Sequence, residues 1–338
     1  MTARETPSRF FRPPTALPVM MHPVLGVVIL TVCLGLAPFA LADYQLTLVA
    51  TGAAYSVAVL GVAAGFATIG MLALTQPAMM LIGAYVALYA IEALGLSFVP
   101  AALLAVLAGL LVALPLGWIT CRLDRFSFAV LGFAFTYLVS MLMSSNLLVG
   151  VTGGELGKPF PSANVFGMVL HDFTNYVALA VCVVLAYLLA PIIFRSTMGR
   201  FLIVMRQDDV LAKSVGIDTN LHRILLTAIV SAYGAFSGVL VGLASGFVAP
   251  PHFDVALSIS LLAMALVGGT RYLLGAAAGT LILLVLPAMF NLTLIDRNLL
   301  VGVVLLACLI FVPEGLLSFD RLGRLVRRPP APERTPAS

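Results

Sequence analysis

Apolar runs of about 20 residues recur from near residue 19 to near residue 319, with no long polar interval between them. In bilayer hydrocarbon an unpaired peptide group is costly, so such a run must be helical or belong to a closed barrel. These runs are too long and too uniformly apolar for barrel strands. With 62% hydrophobic and 9% charged residues in 338, the chain also lacks the polar supply for a water-exposed surface. The expectation is one all-α, polytopic helical membrane protein of about 10 transmembrane helices. The spans fall at 24–42, 46–64, 71–94, 100–121, 126–149, 175–194, 224–249, 255–270, 272–288 and 299–319.

The segment 255–289 is long for one span and short for two, and Gly268, Gly269, Thr270 and Arg271 interrupt it. A broken helix or a tight hairpin fits. Residues 1–18 read as a cytoplasmic N-terminal segment, 19–320 as the membrane domain, and 321–338 as a basic, disordered cytoplasmic tail that ends in proline-rich and polar residues.

Charge fixes the orientation. With the N-terminus inside, Arg4, Arg9 and Arg12 lie in the cytoplasm, as do Arg122 and Arg125. The cluster Arg195, Arg200, Arg206, Lys213 and Arg223 joins them, with Arg271 and the tail. Lys158 and Arg297 remain outside, which satisfies the positive-inside rule. A second reading of the start is a leader cleaved at Ala40-Leu41-Ala42. The formal charge of +4 does not indicate nucleic acid, because the basic residues sit in short clusters without aromatic interleaving.

Catalytic and metal chemistry find no support. Cys33, Cys121, Cys182 and Cys308 are scattered in apolar segments, and His22, His171, His222 and His252 lie near span ends without ligand spacing. Gly157-Lys158 resembles the end of a phosphate-binding loop, but Pro159 and Thr152 break the pattern and the site lies outside. An ion-coupled carrier needs ionisable groups at mid-membrane. Here Glu92 is near an outer end, and Asp43, Asp124, Asp172 and Asp254 fall at span boundaries.

Two regions remain. The loop 195–223 is too long for a turn between neighbouring helices. Within it Asp208 suits an N-cap, Asp209 the positive first turn, Lys213 the helix end and Gly216 a left-handed C-cap, which specifies a short surface helix. Phe201, Val204 and Met205, with Val210, Leu211 and Val215, make an imperfect apolar stripe. It suits a docked partner or a solvated interfacial helix equally. The second region is a set of helix breakers: Gln76-Pro77, Pro115 with Gly117, and Gly268-Gly269. These either expose backbone to a polar solute at mid-membrane or kink helices for packing alone.

Residues 195–202 read Arg-Ser-Thr-Met-Gly-Arg-Phe-Leu, and 206–217 read Arg-Gln-Asp-Asp-Val-Leu-Ala-Lys-Ser-Val-Gly-Ile. This stretch resembles the cytoplasmic loop of LivM-type permease subunits of branched-chain amino acid ABC importers. Asp209, Ala212, Gly216 and Ile217 occupy the family's characteristic places. Gly83-Ala84-Tyr85, Thr152-Gly153-Gly154, Gly268-Gly269 and Phe311-Val-Pro-Glu-Gly315 extend the resemblance over most of the membrane domain. Pro77, Thr270-Arg271 and Asp124 depart from it.

The resemblance implies an ABC importer permease fold in a bacterial inner membrane, with both termini cytoplasmic and no cofactor in this chain. ATP and Mg would sit on two cytoplasmic ATPase subunits. The other implied partners are a LivH-like permease, a periplasmic solute-binding protein and membrane lipid. The solute would be a branched-chain amino acid or a related small polar molecule such as urea or a short amide. Arg206, Asp208, Asp209, Ala212, Lys213 and Gly216 would couple to the ATPases, and Gln76, Tyr85, Gly268 and Gly269 would line the path. The rivals are a secondary carrier or facilitator, which should show mid-span charges or an inverted repeat, and a subunit that only supports assembly.

Overall fold

The computed structural model describes residues 23–40, 43–161, 164–165, 168–169, 172–270 and 273–289, with 302, 303 and 306. The expectations for residues 1–18, the Ala40-Leu41-Ala42 site, Arg271, Arg297, the span 299–319 and the tail 321–338 fall wholly or partly outside them.

The described residues are mostly helical. In order come α1 (Pro23–Ala40), α2 (Asp43–Ile69), α3 (Gln76–Glu92), α4 (Phe98–Thr120), α5 (Arg125–Ser144) and the short α6 (Val149–Thr152). The two-residue strands β1 (Lys158–Pro159), β2 (Asn164–Val165) and β3 (Met168–Val169) follow, then α7 (Asp172–Phe194), α8 (Thr197–Gln207), α9 (Asp209–Ser214) and α10 (Thr219–Ser245). The last described elements are β4 (Phe247–Val248), α11 (Val255–Gly268), α12 (Leu273–Thr280) and α13 (Leu286–Met289), with a π-helical turn at Leu281–Val285 joining the final two. Among the described residues five helices, the cores of α2, α4, α5, α7 and α10, are long and apolar enough to cross a bilayer.

Helices α2 and α10 form the centre. Both are mostly buried and pack on each other, and α10 also packs on α3 and α4. Small residues permit the close approach. A Cβ on Gly83 would overlap the Ala235 carbonyl, and one on Gly238 the Met80 carbonyl, so α3 and α10 meet backbone to backbone. The outward faces of α4, α5 and α7 carry exposed leucines, valines and aromatics, as expected of surfaces facing lipid or another membrane chain.

Several boundaries differ from the sequence reading. The run 71–94 is not one helix, since α3 starts only at Gln76, with Pro77 in its first turn where a missing N–H is tolerated. Pro115 does not break α4, which continues to Thr120. The loop 195–223 is mostly helix, and α10 already begins at Thr219, capped by Asp218 through the amides of Asn220 and Leu221. The segment 255–289 is a tight hairpin. Gly269 turns at φ +94°, and a Cβ on Gly268 would overlap the Gly275 carbonyl, so α11 and α12 fold back in direct backbone contact.

Candidate coupling and translocation site

The loop predicted to carry a capped surface helix folds as an α8–α9 unit. The Asp208 side chain accepts from the amides of Val210 (2.8 Å) and Leu211 (3.1 Å), closing the N-terminus of α9. Gly216, at φ +86°, ends it. Ile217 N–H donates to Ala212 and Gly216 N–H to Lys213, the paired bonds of a Schellman turn. Ala212 is buried against the rest of the chain, while Val210, Leu211 and Val215 are 76%, 56% and 72% exposed. The stripe therefore divides: Met205 and Leu202 pack inward from α8, and the α9 residues face away.

Two polar links tie this unit to the central helices. The Arg206 guanidinium donates to the Ala67 carbonyl at 2.6 Å, in the last turn of α2 where a cation also suits the helix dipole. On α9, Asp209 pairs with Lys213 at 3.3 Å and with Arg223 of α10 at 3.2 Å. The Arg223 pairing is an ion pair without hydrogen-bond alignment at Asp209 Oδ1. One link thus reaches α2 and the other α10.

The same two helices converge on Gln76. Its side-chain N–H₂ donates to Ala58 O of α2 and Val230 O of α10, both at 3.2 Å, and the residue is fully buried. Ala58 lies about 16 Å along its helix from Ile69, and Val230 about 16 Å from Thr219. Gln76 thus sits at mid-membrane depth, where α3 begins. Gln76 Oε1 has no hydrogen-bond partner.

Just before it, the non-helical Leu74 carbonyl accepts from Thr136 Oγ1 of α5 and Ser258 Oγ of α11, each at 2.9 Å. Irregular backbone at this depth is tolerable because buried hydroxyls satisfy it. Thr136 and Ser258 were not singled out from the sequence; hydroxyl residues in otherwise apolar helices were the available signal.

The four residues expected to line the path, Gln76, Tyr85, Gly268 and Gly269, do not form one cluster. Tyr85 lies farther along α3, its hydroxyl donating to Thr152 O (3.0 Å) and, longer, to Val248 O (3.4 Å). Thr152 is itself buried. Tyr85 also borders an apolar cleft of about 680 Å³ between α3, α4 and α5. Gly268 and Gly269 serve the hairpin turn, about 15 Å along α11 from Ser258.

On the other side, a cleft of about 490 Å³ opens among Met71, Leu123, Asp124, Phe128, Met205 and Arg223. A much smaller cavity of about 10 Å³ shares Met71 and Phe128 with it and is also lined by Thr75, Val230 and Ser231. No group of His, Cys, Asp and Glu among the described residues is arranged to hold a metal.

A family described as "Branched-chain amino acid transport system / permease component" matches residues 44–313. Among characterised proteins the chain is similar to the high-affinity branched-chain amino acid transport system permease protein LivM of Escherichia coli (strain K12), at 28% identity over 287 residues. Its counterpart in Salmonella typhimurium is 25% identical over 281 residues. Each alignment covers 75% of this chain and 65% of the relative, so the chain spans just under two thirds of the length of these relatives. Among solved structures, PsaBC from Streptococcus pneumoniae in complex with Fab aligns over 90% of this chain and 100% of that one, at 18% identity and a TM-score of 0.43.

Proposed function

The chain belongs to the branched-chain amino acid transport permease family, and from that premise we propose that it is the membrane subunit of an ATP-driven importer for branched-chain amino acids or a related small polar solute. It is a multi-pass membrane protein of a transport family. In the proposed assembly it sits in a bacterial inner membrane with both termini cytoplasmic, beside a LivH-like permease. Two cytoplasmic ATPase subunits hydrolyse ATP, and a periplasmic protein delivers the solute.

The observation that carries this reading is the exposed apolar face of α9. Val210, Leu211 and Val215 project from a helix capped at both ends, and a rigid apolar helix face is what a groove on a partner recognises. The arrangement behind that face supports a mechanical role. A push on α9 reaches α10 through the Asp209–Arg223 ion pair and α2 through Arg206 and the Ala67 carbonyl. Rigid helices then carry the displacement to Ala58 and Val230, which grip the Gln76 amide from two sides. Sliding α2 against α10 would reset the break at the start of α3, the point where a polar solute meets unwound backbone.

The test is Val210→Glu with Leu211→Glu in the chain co-expressed with its ATPase subunits. The expected result is loss of ATPase co-purification and of solute uptake with the permease still inserted and folded. Undiminished association and uptake would overturn the docking role. Uptake that persists without any ATPase would favour a facilitator.

A further inference from the structure

The cleft that Arg223 shares with the loops before α3 and α5 combines an apolar lining with charges of both signs. Its apolar walls come from Phe128 of α5, Met205 of α8 and the connecting residues Met71 and Leu123. It also holds one anion, Asp124, and one cation, Arg223. The volume, about 490 Å³, is that of a small-ligand pocket. The hydrogen bond from the Ser127 hydroxyl holds the Asp124 carboxyl below the usual carboxylate range. An apolar lining with one fixed charge of each sign complements a small molecule that carries a carboxylate, an ammonium and an apolar side chain.

We propose that this cleft is a cytoplasmic binding site for an apolar α-amino acid, whose carboxylate takes the Arg223 guanidinium and whose ammonium takes the Asp124 carboxylate. The consequence follows from Arg223 having two claims on it. It lines the cleft and pairs with Asp209 of α9 at 3.2 Å. A ligand carboxylate competes with Asp209, which retains Lys213 at 3.3 Å on its own helix. Occupancy therefore loosens the link from α9 to α10 and leaves the link from α8 to α2, so accumulated amino acid inside the cell weakens coupling. The choice of leucine as ligand rests on the importer reading; the site itself rests on the cleft.

The experiment is equilibrium binding of labelled L-leucine to the full chain in its co-purified complex, in lipid nanodiscs and without solute-binding protein. Saturable binding is expected. Asp124→Asn should weaken it about tenfold, the effect of removing one charge-assisted contact. Leucine amide, without a carboxylate, and 4-methylpentanoate, without an ammonium, should each compete about tenfold less well than leucine. Leu123→Trp fills the rim and should abolish binding with thermal unfolding unchanged.

Absent binding, or binding indifferent to Asp124→Asn and Leu123→Trp in folded protein, would overturn the proposal. In proteoliposomes carrying the whole transporter, leucine inside should slow uptake of external leucine, and Asp124→Asn should relieve that slowing. Uptake unaffected by internal leucine would overturn the regulatory part. Failure of the importer reading is separate, since it appears as absent uptake whether or not leucine binds the cleft.

Discussion

Gln76→Leu separates a mechanical role for the mid-membrane amide from a merely structural one. The substitution removes two hydrogen bonds of 3.2 Å, to Ala58 O and Val230 O. Both acceptors sit inside long helices and keep their helical partners, so each lost bond is worth about 0.5–1.5 kcal/mol. In return the change removes Oε1, a buried acceptor without a partner, whose burial costs about 1–3 kcal/mol. Leucine fits the apolar surroundings with little change in volume. The two contributions nearly cancel, and the net effect on stability is within about 1 kcal/mol. In a chain of this size that shifts Tm by about 2–4 °C at most.

If the amide transmits displacement between α2 and α10, uptake should nevertheless fall by at least tenfold. Basal ATP hydrolysis should persist in the co-purified complex. The assay is fluorescence-detected thermal unfolding alongside uptake into proteoliposomes. Wild-type uptake in Gln76→Leu would refute the mechanical linkage, and a collapse of Tm would show that the amide holds the fold together.

Four other outcomes follow from the same geometry. Thr136→Val or Ser258→Ala alone leaves the Leu74 carbonyl one hydroxyl donor and should cost about 1 kcal/mol, whereas the double variant should cost about 1–3 kcal/mol beyond the sum, read by a double-mutant cycle on thermal unfolding. Gly268→Ala drives a methyl into the Gly275 carbonyl and should lower stability by about 1–3 kcal/mol, while Gly35→Ala, with open space around it, should not. Arg206→Ala removes a charge-assisted bond worth about 1.5–3 kcal/mol, and uptake per ATP hydrolysed should fall, since α8 loses its hold on α2. Asp208→Ala should loosen α9 by about 1 kcal/mol and raise hydrogen exchange at Val210 and Leu211, whose amides it caps.

What the sequence revealed depended on whether the signal was local. The α9 helix was legible residue by residue because caps act within one turn: Asp208, Asp209, Lys213 and Gly216 all take the roles their spacing predicts. That Ala212 turns inward while Val210, Leu211 and Val215 turn outward depends on what α9 packs against, and no local pattern encodes it. The helix breakers show the same division. Gln76-Pro77 announced an interruption, yet Pro115 carries equal local weight and bends nothing enough to end α4, because helix interiors absorb a proline when neighbouring groups take up the freed carbonyl.

The two prolines differ in tertiary partners. Before Pro77 the Leu74 carbonyl has Thr136 and Ser258 waiting, from helices about 60 and 180 residues away in sequence, and next to it Gln76 reaches Ala58 and Val230. A helix can stop at mid-membrane only where such donors converge, so the decisive information lies in α2, α5, α10 and α11 rather than in the break itself. The links from the α8–α9 unit meet the same two helices. Since α2 and α10 both end at the α8–α9 unit and both hold Gln76, the Arg206 and Asp209 links and the Gln76 amide lie on the same pair of helices.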